Sequence, residues 1–189
     1  MKIGITSDCS SGLEYAPFEH HIKITRTTIH FKDEELIDGI DIKAEEFYRR
    51  LKETDIVPST SAPSLGEISK RVEELKAEGC TDVIHFPISF GLSAYGENLL
   101  NAFDNMVEGV KLHVFNCHSA CLMEGYCAHY AEILAERGYT VEEIMDECQK
   151  FADQTVAYLI VDDLKYLVKN GRLNEVYGFI GGLAKIKPI

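Results

Sequence analysis

An α/β fold, mainly a parallel sheet with helices on both faces, is what these 189 residues predict. Three observations predict it. Short apolar runs recur along the chain, and amphipathic segments with capping signals and glycine stops lie between them, the pattern of strands joined by crossover helices. No apolar run approaches the roughly 18–20 residues of a membrane span. No internal repeat, low-complexity tract or linker interrupts the alternation.

The elements follow in order. "KIGIT" opens the chain as a short apolar strand, and Ser7-Asp8-Cys9-Ser10-Ser11-Gly12 is a polar turn after it. "IKITRTTIHF", residues 22–31, is rich in β-branched residues and reads as one second strand. Asp41 is placed to cap a helix whose face includes Phe47 and Leu51. Ser64 and Glu67 have capping-box spacing. Leu65, Ile68, Val72 and Leu75 then form a stripe that predicts a helix over 65–78, stopped by Gly79. "DVIHFPIS" is strand-like and leads into a helix with Leu99, Ala102, Phe103 and Met106 on one face. "KLHVFN" is the next strand, followed by a long helix through Leu134 that ends near Gly138. Thr140 and Glu143 make a second capping box, opening a helix with Ile144, Cys148 and Phe151. "VAYLIV", residues 156–161, reads as a further buried strand, and Asp162 or Asp163 starts a short helix.

Composition excludes several classes of function. A formal net charge of -12 argues against nucleic acid and against anionic membrane surfaces, since both select basic patches. Met1-Lys2-Ile3 leads straight into a strand without a signal core, so a cytoplasmic location is expected. Six cysteines, at 9, 80, 117, 121, 127 and 148, form no Cys-x-x-Cys pair, and reduced thiols are expected. "HVFNCHSACLMEGYCAH", residues 113–129, gathers cysteines and histidines but lacks the paired spacing of a metal site. Neither a metal nor a cofactor is expected. The phosphate-cradling Gly-x-x-x-x-Gly-Lys-Ser/Thr loop, the dinucleotide Gly-x-Gly-x-x-Gly and the Gly-x-Ser-x-Gly elbow are all missing. "GFIGG", residues 178–182, has the wrong spacing for any of them.

Ligands of parallel sheets bind beyond the carboxyl ends of the strands. The segments there read Ser7-Asp8-Cys9-Ser10, Ser89-Phe90-Gly91-Leu92-Ser93 and Asn116-Cys117-His118-Ser119, and "VPSTSAPS", residues 57–64, adds four more hydroxyls. Neutral hydroxyls beside helix N-termini suit a carboxylate or a phosphate. Two other readings stand beside this one. Each serine is a helix cap, or Ser93 is a nucleophile with His118 as its base and Asp8 orienting the ring, in a small hydrolase or transferase.

Four patches resemble the DegV family of lipid-binding proteins. "ITSDCSSGL" is similar to its opening strand with Thr-Asp-Ser-Thr and Leu, and "PSTSAPS" to its Thr-Ser-Gln-Pro-Ser loop. "ISFGLSAYGEN" parallels Ile-Ser-Ser-x-Leu-Ser-Gly-Thr-Tyr-Gln. "DDLKYLVKNGRLNEVYGFIGGLAKIKPI" follows the stretch with Leu-x-x-Leu, Gly-Gly-Arg-Ile and Ile-Lys-Pro. Ala62 stands where the family has Gln, and Ala94-Tyr95 where it has Gly-Thr. The resemblance implies a two-domain α/β protein of the EDD fold with a fatty acid in a tunnel between the domains. Residues 1–161 would be the N-terminal domain and 162–189 the beginning of the second, whose larger part would follow Ile189. It implies a binding protein without catalysis of its own, in which Thr60, Ser61 and Ser93 hold the carboxylate of a long-chain fatty acid. A separate ATP-dependent fatty acid kinase subunit would phosphorylate that acid, with Arg172, behind Gly171, meeting the phosphate or the partner. A domain that has lost its ligand site is the remaining alternative.

Overall fold

The computed structural model describes residues 2–102, 106–158 and 160–173. Along the chain run β1 (Ile3–Asp8), β2 (Lys23–Thr25), β3 (Thr28–Phe31), β4 (Glu34–Ile37), α1 (Ala44–Glu53), β5 (Ser59–Ser61) and α2 (Leu65–Ala77). Then follow β6 (Asp82–Phe86), α3 (Tyr95–Ala102), β7 (Lys111–Val114), α4 (Leu122–Glu136), α5 (Val141–Asp153) and α6 (Lys165–Lys169). Four strands form a parallel sheet in the order β2-β1-β6-β7, and β4-β3-β5 form a separate antiparallel sheet.

Strands covered on both faces must be apolar in both parities, and β6 shows how this chain meets that demand. Ile84 and Phe86 join a core with Ala128, Ala131, Leu134 and Ile144 of α4 and α5. Val83 joins the opposite core with Ile68, Val72 and Leu75 of α2 and Leu99 of α3. The expected α/β architecture, with helices on both faces, is therefore present.

Local signals place the helix ends. Ser64 Oγ accepts from Glu67 N at 3.1 Å, and Gly79, just past α2, takes φ +92°. Thr140 and Glu143 complete both halves of a capping box at the start of α5. The first helix differs from expectation: Lys43 occupies its N-cap position. Asp41 is spent nearby, its Oδ2 accepting from Ile37 N at 2.8 Å in the turn after β4.

Two expected strands are corrected. Residues 22–31 are two strands in different sheets. The chain breaks at Arg26-Thr27, where Thr27 N donates to Cys9 Sγ at 3.4 Å and Thr27 O accepts from Asp38 N at 3.0 Å. These partners turn the backbone away from the parallel ladder. Residues 156–161 form no strand among the described residues, and Val156, Tyr158 and Ile160 are 69%, 79% and 66% exposed. An apolar run becomes a buried strand only where a sheet edge and a covering layer receive it, and among the described residues neither meets this one. Phe103, expected on α3, and the glycine-rich 178–182 lie outside the described residues. So does residue 159.

Helix α4 crosses the end of β1 at unusually close range. A Cβ on Gly125 would lie 2.6 Å from the Ser11 carbonyl oxygen, so only glycine lets the helix seat there. Gly125→Ala is expected to lower stability by about 1–3 kcal/mol, the usual range for overpacking. A urea melt of the variant with unchanged m-value checks this.

Candidate functional site

At the carboxyl end of the sheet the strand mouths are joined by hydrogen bonds. Asp8 ends β1 with its side chain buried. Its Oδ1 accepts from Ser10 N at 2.8 Å and its Oδ2 from Ile88 N at 3.0 Å, the latter beyond β6. Ser89 N donates to Ser119 O at 2.9 Å, tying in the mouth of β7. Ser89 O then accepts from Ser93 N at 3.1 Å, closing the turn that carries Ser93.

Ser93 is half-buried, and its Oγ accepts from Tyr95 N at 3.2 Å. That bond occupies the oxygen and leaves the hydroxyl hydrogen to donate elsewhere. Ser93 is thus both a turn-former and a free donor.

Thr60 and Ser61 sit on a strand, β5, rather than in the loop their composition suggests. In β5 they pair with Ile29 and Thr28. Successive side chains of a strand point to opposite faces. Ser61 Oγ meets His30 Nε2 at 2.7 Å on one face, and Thr60 shares the other with Ile29. The pleat therefore separates two hydroxyls that were expected to act together. His30 was not singled out from the sequence. A histidine two residues from Thr28 in a β-branched run was its only signal.

The β5 strand and the Ser93 turn are held by one short segment after α6. Asn170 Nδ2 donates to Pro58 O at 3.4 Å, and Arg172 Nε donates to Leu92 O at 3.4 Å. One three-residue stretch thus contacts both the residue before β5 and the residue before Ser93. Arg172 is exposed and also donates to Asn170 O, beside Gly171 at φ +73°. Its guanidinium both closes the helix end and reaches the Ser93 turn.

The serine-nucleophile arrangement does not assemble. The polar partner of the His118 ring is Asn116, with Nδ1 and Nδ2 3.3 Å apart. Among the described residues, His118 makes no hydrogen bond to Ser93 or to Asp8. Cys9, Tyr95 and His85 nearby are held neutral. Burial pushes the Cys9 thiol up to about 11, raises the Tyr95 phenol and holds the His85 imidazole down at about 3. Burial likewise raises Asp8, and it raises Glu124 further, with the Asp8 charge adding to it.

Glu124 is a second residue that sequence reasoning missed. It lies in the first turn of α4, fully buried, with Oε1 3.0 Å from Ser7 Oγ and Oε2 2.8 Å from Ser10 Oγ. A glutamate there reads as an ordinary dipole partner. The adjacent Gly125, opposite a polar turn, was the available signal. Of the clustered cysteines, Cys117 and Cys127 are buried and Cys121 is exposed, and all are free thiols. His118 and Cys121 hold φ near +53° and +58°, a region L-residues rarely take. Among the described residues no three His, Cys, Asp or Glu side chains gather as a metal site would require. Nor is any helix there long and apolar enough to cross a membrane.

Fold and rim together define a class: a parallel α/β domain whose strand mouths are lined by neutral hydroxyls backed by a buried carboxylate pair. The comparisons narrow it. The model of a family described as "Uncharacterised protein, DegV family" matches residues 2–189, and the chain belongs to that family. A DegV domain-containing protein of Staphylococcus aureus is 35% identical over 191 residues, which cover 100% of this chain and 66% of the relative. Among solved structures, DegV of Bacillus subtilis, described as a fatty acid binding protein, superposes with a TM-score of 0.85 at 30% identity. That match covers 100% of this chain and 67% of the other. A fatty acid binding DegV family protein from Streptococcus agalactiae gives 0.86 at 25% identity, covering 100% and 66%. The chain spans about two thirds of the length of these relatives.

One packing feature at the rim pairs a glycine with an aromatic ring. A Cβ on Gly96 would lie 2.0 Å from Phe90 Cε1, so the Phe90 ring occupies the room that Gly96 leaves. Gly96→Ala is expected to cost about 1–3 kcal/mol. Adding Phe90→Ala should recover part of that loss, giving a non-additive double-mutant cycle in thermal melts.

Proposed function

We propose that this protein binds a long-chain fatty acid and presents its carboxylate to a separate ATP-dependent kinase subunit. Thr60 and Ser93 donate their hydroxyls to the carboxylate. Ser61, paired with His30, steadies the strand that carries Thr60. Residues 162–189 open a second domain against which the acyl chain lies. The protein contributes no catalytic group and no cofactor of its own; Arg172 meets the transferred phosphate or the partner.

The observation that carries this reading is the strip at residues 170–172. Asn170 reaches Pro58, just before the strand that carries Thr60, and Arg172 reaches Leu92, just before Ser93, each at 3.4 Å. The hydroxyls of Thr60 and Ser93 and the forked cation of Arg172 are, in this reading, the groups that meet a carboxylate that becomes an acyl phosphate. The fatty acids named for the Bacillus and Streptococcus relatives point the same way. Neutral, half-buried Cys9 and neutral, buried His85 and Tyr95 favour binding over nucleophilic chemistry.

Mass spectrometry of an organic-solvent extract of the purified protein should find a stoichiometric fatty acid; an extract without one sinks the proposal. Ser93→Ala and Thr60→Ala should each weaken binding of that acid roughly tenfold, since a hydrogen bond to a charged group contributes about 1.5–3 kcal/mol. Unchanged affinity with a lowered melting temperature in Ser93→Ala would make the serine a turn-former only. Arg172→Ala should spare binding of the acid and impair phosphate transfer by a fatty acid kinase. Loss of binding as well would put Arg172 in the carboxylate site.

A further inference from the structure

We propose that Glu124 is a neutral carboxylic acid whose hydrogen, passed through Ser10 to a charged Asp8, positions the Ile88–Ser93 turn for its ligand. The ligand half of this statement rests on the function proposed above; the protonation half does not.

Counting hydrogens carries it. Ser7 Oγ lies 2.8 Å from Phe86 O and 3.0 Å from Glu124 Oε1, with a single hydrogen for both. Ser10 Oγ lies in hydrogen-bond contact with Asp8 Oδ1 and 2.8 Å from Glu124 Oε2, again with a single hydrogen. If Glu124 were ionised, two of these contacts would set oxygen lone pairs against each other around a fully buried carboxylate. A proton on Glu124 turns one of them into a donated bond and removes a buried charge.

The same count puts the charge on Asp8. Both Asp8 oxygens accept backbone N–H groups, from Ser10 and from Ile88, and these bonds favour its charged form against the burial that raises it. Glu124 accepts from no backbone group among the described residues. The order of contact is then Glu124, Ser10, Asp8, Ile88 and the turn that ends at Ser93. Asp8, from β1, and Cys117, from the segment after β7, are the titratable groups facing Glu124. Both add negative character and favour the neutral acid. Burial acts in the same direction. Glu124 reaches this place only because Gly125 lets α4 close on Ser11.

The test uses the full chain and two substitutions. The Glu124 side-chain carboxyl, assigned by comparison with E124Q, is followed by 13C NMR across pH. It should titrate well above the ordinary value of about 4.3; titration at or below that value overturns the proposal. Stability supplies a second readout. A raised folded-state pKa means that the Glu124 contribution is complete below its unfolded pKa and is lost as pH rises through the folded one. The melting temperature of the wild type should therefore fall relative to E124Q with rising pH, and a constant difference overturns the proposal.

Oleate titration separates positioning from mere folding. E124A should weaken oleate about tenfold or more, and E124Q, a neutral donor of the same shape, should restore most of that affinity. E124Q as weak as E124A would overturn the neutral-acid role. If even the wild type fails to bind oleate, the fatty-acid reading falls, while NMR and melts still decide the protonation of Glu124.

Discussion

The Asp8 carboxylate joins the ends of two neighbouring parallel strands, and the functional end of the molecule depends on that junction. A parallel ladder runs out at its last residue, leaving N–H groups beyond it to find other partners. Asp8 supplies them for both Ser10 and Ile88 at distances of 2.8 and 3.0 Å. Because the carboxylate is buried, it needs those donors as much as they need it. From Ser10 the contacts run to α4, and from Ile88 to the turns of Ser89 and Ser119. Three strand mouths behave as one rigid rim for this reason, and the Ser93 turn inherits its position from it.

Much of this was legible in the sequence, and the failures share a cause. Helices α2, α4 and α5 announced themselves through caps, apolar spacing and terminal glycines, all contained within the segment. Strands β1, β6 and β7 were short apolar runs between such helices. The stretch 22–31 defeated the same reasoning because its two halves have one composition. What divides them is the sulfur of Cys9 and the amide of Asp38, both distant in sequence. "VAYLIV" reads as buried because composition records appetite for a sheet and not the presence of one.

The site was legible by residue type and not by direction. Hydroxyls at strand mouths were visible at once, and the structure gathers the mouths. The parity of Thr60 and Ser61 depended on knowing that 59–61 is a strand, whereas two serines, a threonine and flanking prolines spell a loop. Glu124 was hidden by its ordinariness, since acidic residues at the start of a helix are expected on the surface. Only the chain of contacts through Ser7 and Ser10 distinguishes it.

The exposed tract after α5 bears on how the protein behaves in concentrated solution. Val156, Tyr158 and Ile160 project apolar side chains at every second position into water, and the run contains no proline to blunt them. Such a stretch is a template on which a second molecule can add a strand, and identical copies offer identical templates. Opposing this is the long-range repulsion of a chain with net charge -12, which salt weakens within a Debye length of about 8 Å at 0.15 M. Ionic strength thus sets the balance between the two, added salt weakening the repulsion and leaving the apolar template unchanged.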